Sequence, residues 1–119
     1  MDKRSGVWLI RAEGELDAYT SDDLRGALAD VGLESAGKVL VDLSRVSYID
    51  STALGVLVGA YKQLNEVGGR MGVCGGPPHV RKVFQISGIE QLMPVYADES
   101  AGLGALQEAP DAKGAGSDA

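Results

Sequence analysis

Apolar residues along the chain recur with two different periods. Val7-Trp8-Leu9-Ile10 and Val39-Leu40-Val41, the latter continued across Asp42 to Leu43, are short runs rich in β-branched residues, the pattern of strands. Leu24, Ala27, Leu28 and Val31 instead fall at i, i+3, i+4 and i+7, one stripe of a helix. The first run passes into polar residues 11–15 with Gly14 among them, which predicts a strand reaching about Asp17 with a bend near Gly14. Few residues precede it, so any earlier strand is very short. The helix is expected to open at Thr20 as N-cap, with Asp22 and Asp23 in its first turn. Tyr19 and Leu24 hold the positions of a hydrophobic staple, and Gly32 or Gly37 ends the helix.

Helical spacing returns from Leu54 through Leu57, Val58, Tyr61 and Leu64, and Gly68-Gly69 stops it. Gly55 and Gly59 lie four apart on a neighbouring face of that helix. Each costs about 1 kcal/mol in a helix interior relative to Ala, so something is expected to pack close there: a strand in the plainer reading, a partner in the other. A short strand over residues 70–74 follows. Gly75-Gly76-Pro77-Pro78 is a break, with Pro78 suited to a helix's first turn and Val80, Val83 and Phe84 as the apolar stripe up to Ser87-Gly88. Pro94-Val95-Tyr96 predicts a last short strand, and Asp98-Glu99-Ser100 starts a helix carrying Leu103 and Leu106. Strands alternating with helices imply an α/β domain with parallel pairings and right-handed crossovers. One domain over residues 1–108 is expected, followed by a disordered tail, 109–119, made of Gly, Ala, Ser, Asp, Pro and one Lys.

Composition narrows the function. The net charge is −6 with no dense Lys/Arg run, which argues against nucleic acid and anionic membranes as partners. No apolar stretch is long enough to cross a bilayer, and the start does not read as a secretory signal. Cys74 is the lone cysteine, so no disulfide framework exists, in keeping with a cytoplasmic location.

Between the central strand and the Leu54 helix lies Asp50-Ser51-Thr52, three short polar residues at a helix entrance. A hydroxyl there either caps the helix or carries chemistry where an anion is tolerated. Catalysis by Ser51 is poorly supported: it does not lie in G-x-S-x-G, and the sole histidine, His79, belongs to the Pro-rich break and reads as a solvated first-turn residue. One Cys and one His without ligand spacing exclude a metal site, and no glycine pattern matches a phosphate cradle, so no cofactor is expected. Cys74 reads as a small buried hydrophobe rather than a redox centre. A receiver-type phosphoacceptor aspartate lacks its acidic pair. Ser51 as a substrate remains. A phosphate would add about −1.5 to −2 charge, tolerated by the helix entrance but not by Asp50 or an acidic partner, which makes it a switch on binding rather than on folding.

The segments Val39-Leu40-Val41-Asp42-Leu43 and Tyr48-Ile49-Asp50-Ser51-Thr52-Ala53-Leu54-Gly55-Val56-Leu57, with Gly14-Glu15-Leu16-Asp17 and Val83-Phe84-Gln85-Ile86-Ser87-Gly88-Ile89, resemble the bacterial anti-sigma-factor antagonists of the STAS-domain family. The resemblance runs from about Val7 to Leu106. It implies a small mixed, mostly parallel sheet with helices packed mainly on one side, and no enzymatic activity. It implies Ser51 as phosphoacceptor and an anti-sigma factor that is also a serine kinase as partner, ATP being bound by the kinase. The unphosphorylated form would bind it and free a sigma factor, phosphorylation would end the complex, and a serine phosphatase would restore it. Asp50 and Thr52 would support the turn; Gly55 and Val56 on the exposed side of the helix, with Asp17, Tyr19 and Thr20 in the 14–20 loop, would form the docking surface. Ala53 stands where the family commonly has Gly. The alternative is a STAS module of a signalling scaffold or a small-ligand sensor with no sigma factor involved.

Overall fold

The strands lie in the sheet in their order along the chain, and that order decides where the helices go. In this computed structural model, β1 (Asp2–Arg4), β2 (Val7–Leu16), β3 (Lys38–Ile49), β4 (Arg70–Cys74) and β5 (Val95–Tyr96) form one sheet in the order β1-β2-β3-β4-β5. The structure describes residues 2–4, 6–35 and 37–108; the side chains of 2, 4 and 31–35, including the expected stripe residue Val31, and the 109–119 tail lie outside it. β1 runs antiparallel to β2, and the other pairings are parallel. When the order of parallel strands never reverses, right-handed crossovers all fall on one face. Accordingly α1 (Ser21–Ser35), α2 (Ser51–Glu66) and the short pair α3 (Pro78–Ser87) and α4 (Ile89–Leu92) cover one face. α5 (Glu99–Glu108), which follows the last strand, covers the other. This is the α/β arrangement expected, with helices mainly on one side.

The apolar run of β3 is continuous because the strand is buried on both faces. Val39, Val41 and Leu43 join the core under α1–α4, and Leu40 joins Val7, Leu9, Cys74 and Leu106 under α5. The very short first strand is β1, where Lys3 opposes Trp8 and holds its ammonium 5.3 Å from the ring centroid. β3 runs on to Ile49, further than the apolar run predicted, because β2 keeps pairing with it: Glu13 opposes Arg45, Gly14 opposes Val46 and Leu16 opposes Ile49. Two register shifts flank this bend, and Gly14, at φ +80°, supplies the left-handed residue it needs.

The glycines divide against expectation. A Cβ at Gly55 or Gly59 would meet nothing within 4 Å, and both residues are exposed. Among the described residues no strand lies against them. The close approach is made by Gly102 of α5, where a Cβ would come within 2.7 Å of Leu40 Cδ1, and by Gly72 of β4, where it would come within 2.6 Å of Tyr96 Cε2. A bidentate pair, Arg11 Nε to Glu99 Oε2 at 2.8 Å and Nη2 to Oε1 at 3.1 Å, ties α5 to β2, and Asp98 caps α5 by accepting from Ala101 N–H at 2.8 Å. α1 extends through Gly32 to Ser35.

Candidate functional site

β2 and β3 end side by side, so the two loops that leave them meet. Asp50 joins them. Its backbone is extended (φ −110°, ψ 179°), and its Oδ1 accepts from Ala53 N–H at 3.0 Å, making it the N-cap of α2. Its Oδ2 accepts from Ala18 N–H at 3.1 Å in the neighbouring loop, and its own N–H donates to Leu16 O at 3.0 Å. One carboxylate thus fixes the start of α2 against the entrance to α1.

The 17–20 loop has its own reciprocal lock. Asp17 Oδ1 accepts from Tyr19 N–H at 2.9 Å and Thr20 N–H at 3.0 Å, while Thr20 Oγ1 accepts from Asp17 N–H at 3.0 Å and donates to Glu15 O at 2.8 Å. This is a capping box one turn ahead of the expected N-cap, so Asp17 rather than Thr20 caps the entrance to α1. The Thr20 N–H bond is the largest of the causes that hold the Asp17 carboxyl below its usual range. Tyr19 is 90% exposed, so the expected staple between Tyr19 and buried Leu24 is not formed.

With capping done by Asp50, Ser51 and Thr52 are the first two helical residues, and both are exposed. Among the described residues, neither hydroxyl has a hydrogen-bond partner, so Thr52 does not cap or brace the turn through its side chain. Nor does a base address Ser51. Both Asp50 oxygens are aimed at backbone N–H groups, and the His79 ring binds the Ser47 carbonyl through Nε2. The hydroxyl is presented as a substrate group.

Ser51, Thr52, Gly55 and Gly59 form the floor of a groove of about 600 Å³ between α1 and α2. Val56 is 7% exposed and belongs to the core, which corrects its expected place on the open side of the helix; only its flank reaches the groove. The opposite wall comes from α1, from Arg25, Leu28 and Ala29. Sequence spacing singled out Leu28 as a stripe residue and did not single out Arg25 or Ala29. The signal was there in the topology: two successive crossovers on one face lie side by side, so the flank of the α1 stripe faces α2. Away from the groove, Cys74 is buried, and burial followed by the nearby Asp42 carboxylate pushes its thiol up to about 12.

The STAS domain family profile matches residues 1–108. Over 108 residues the chain is 34% identical to the anti-sigma F factor antagonist of Paenibacillus polymyxa, covering 90% of this chain and 92% of that protein. This chain belongs to the STAS-domain anti-sigma-factor antagonist family. That makes it a non-enzymatic regulator of a family whose members act on anti-sigma factors. Among solved structures, it superposes on an anti-sigma factor antagonist from Mycobacterium paratuberculosis with TM-score 0.82 at 27% identity, covering 90% of this chain and 91% of that one. It also superposes on the phosphorylated form of the Bacillus cell-fate determinant SpoIIAA with TM-score 0.64 at 27% identity, covering 86% and 92%. Within the described residues of this STAS chain, no helix is long and apolar enough to cross a membrane.

Proposed function

We propose that the unphosphorylated chain binds an anti-sigma factor that is also its serine kinase, thereby freeing a sigma factor, and that phosphorylation of Ser51 abolishes this binding. The observation that carries the proposal is the division of labour at the α2 entrance. Asp50 holds the fold together there, and Ser51 is left exposed with no structural task. A residue so placed can be modified without unfolding the domain, and an anion at a helix N-terminus is favoured by roughly 0.3–1 kcal/mol. The chemistry of transfer belongs to the kinase, which holds the ATP, since among the described residues no base addresses the hydroxyl; a serine phosphatase reverses the modification. The groove beside Ser51, floored by Gly55 and Gly59, gives the partner close access to the α2 backbone, and the exposed Tyr19 ring stands on the adjoining loop. That SpoIIAA exists in a phosphorylated form supports the reading by similarity.

The test compares Ser51→Ala with Ser51→Asp. Both should melt within about 0.5 kcal/mol of the parent, as surface changes without a lost bond do. Ser51→Ala should bind the kinase constitutively. Ser51→Asp should bind at least a hundredfold more weakly, because a second carboxylate beside Asp50 must be desolvated at the interface, at a cost of about 3 kcal/mol or more. Calorimetric titration against the partner, with fragment mass spectrometry after kinase treatment, reads both halves. Equal binding by Ser51→Asp, or phosphate found on Thr52 or Ser47, would refute it.

A further inference from the structure

α1 and α2 both start from the same end of the sheet, and the bond from Ala18 N–H to Asp50 Oδ2 holds their first turns level. Arg25 lies in the second turn of α1, and side chains on a helix lean back toward its N-terminus. Its guanidinium does so, with Nη1 donating to Asp22 Oδ1 at 2.5 Å in the first turn of that helix. Arg25 and Ser51 line the same groove from opposite helices. Of the described residues lining it, Arg25 supplies the positive charge, and Glu66, at the other end of α2, the negative.

We propose that Arg25 is the receptor for the phosphoryl group on Ser51: it leaves Asp22 and pairs with the phosphoserine across the groove. The proposal rests on Ser51 being the acceptor and adds a specific residue and a geometric consequence. The present Arg25–Asp22 pair is weak competition. Its side chains are 60% and 77% exposed, it lies at i, i+3 on one helix, and it uses one of five guanidinium donors. A phosphate dianion offers twice the charge and three acceptor oxygens in the fork geometry that arginine matches. Pairing would place a bridge from α2 to α1 over the mouth of the groove. Phosphorylation would then add charge to the docking surface and also cover part of it.

The experiment installs phosphoserine at position 51 during translation, so that it does not depend on which residue a kinase selects. The second ionisation of the phosphate is followed by phosphorus NMR. Asp50 beside it and Asp22 on α1 both raise that ionisation, Glu66 does so from a distance, and Arg25 lowers it. Arg25→Gln should raise the midpoint by about half a unit, a threefold change in the acid constant. Arg25→Lys should recover part of that, since it keeps the charge but not the fork. Asp22→Asn should lower the midpoint below the parent's, because the competitor for Arg25 is gone. A midpoint unchanged by Arg25→Gln, or a rise on Asp22→Asn, would overturn the proposal while leaving Ser51 as acceptor intact. Failure of a kinase to modify Ser51 would show instead in the fragment mass spectra.

Discussion

Replacing Asp50 should separate two tasks that its two oxygens perform. Asp50→Ala removes the α2 cap, worth about 0.5–2 kcal/mol, and the acceptor for Ala18 N–H at 3.1 Å. The latter bond is solvent-exposed, so we assign it about 0.5–1 kcal/mol, the low end for a hydrogen bond. The sum is roughly 2 kcal/mol, which for a domain of this size lowers Tm by about 8 °C. Asp50→Asn keeps one carbonyl oxygen, and asparagine caps helices about as well as aspartate. Its amide nitrogen cannot accept from the second N–H, so it should lose only the bond to Ala18, at about 0.5–1 kcal/mol. Thermal melts give the totals, and amide hydrogen exchange assigns them. In Asp50→Asn the Ala53 amide should stay protected and the Ala18 amide should exchange faster; in Asp50→Ala both should be exposed. If Asp50→Asn melts with the parent, or if Ala18 exchange is unchanged in it, the bridge between the loops contributes nothing and Asp50 is only a cap; if the two variants melt together, the cap contributes nothing.

Gly55→Ala should stabilise the chain by about 0.5–1 kcal/mol, because the site is open and Ala is the better helix former, whereas Gly102→Ala should destabilise it by about 1–3 kcal/mol by driving a methyl into Leu40; paired denaturant melts check the opposite signs. Asp17, a carboxyl lowered mainly by the Thr20 N–H, contributes stability that is fully present above the ordinary aspartate value near pH 4 and lost as pH falls through its lower folded value. Asp17→Asn should therefore flatten the acid limb of the stability profile, which melts between about pH 2 and 5 will read. Cys74, with its thiol pushed up to about 12 and no exposure, should resist thiol reagents in the folded protein at pH 8 and react at once in denaturant.

The fold was legible wherever one side of an element faces the core. The stripes of α2 and α3 and the runs of β2, β3 and β4 follow the two hydrophobic periods, and Gly88, at φ +78°, ends α3 where the sequence predicted. Misreadings cluster where pairing or capping is decided by atoms distant in sequence. Residues 44–49 carry no continuous apolar run, yet they are strand because β2 reaches them past its bulges. Thr20 has the chemistry of an N-cap, but its hydroxyl is taken by Asp17 N–H and Glu15 O. Glycine is ambiguous by itself: the sequence shows the lost side chain and not whether a neighbour or empty space occupies its place, which is why the close approach expected at Gly55 is found instead at Gly102. At the site, Ser51 and Asp50 were legible because their motif is local. The α1 wall with Arg25 was not, since it depends on two helices lying side by side.

The unequal strand lengths have a bearing on how the sheet guards its own margins. β1 and β5 are only three and two residues long, beside a β2 of ten residues and a β4 of five, so the outermost strands themselves offer little ladder on which a second chain could extend the sheet. Among the described residues two longer stretches are paired on one side only: residues 10–16 of β2, past the end of β1, and residues 44–49 of β3. β4 pairs with β3 only as far as Asp42, and among the described residues no strand takes its place beside residues 44–49. His79, from the first turn of α3, binds the Ser47 carbonyl on that stretch, as a gatekeeper over an unfinished edge. The histidine that offers nothing to catalysis thus occupies one backbone acceptor on the strand that projects past its neighbour to carry Asp50 and Ser51, so the overhang that exposes the switch is also where α3 is tied to β3.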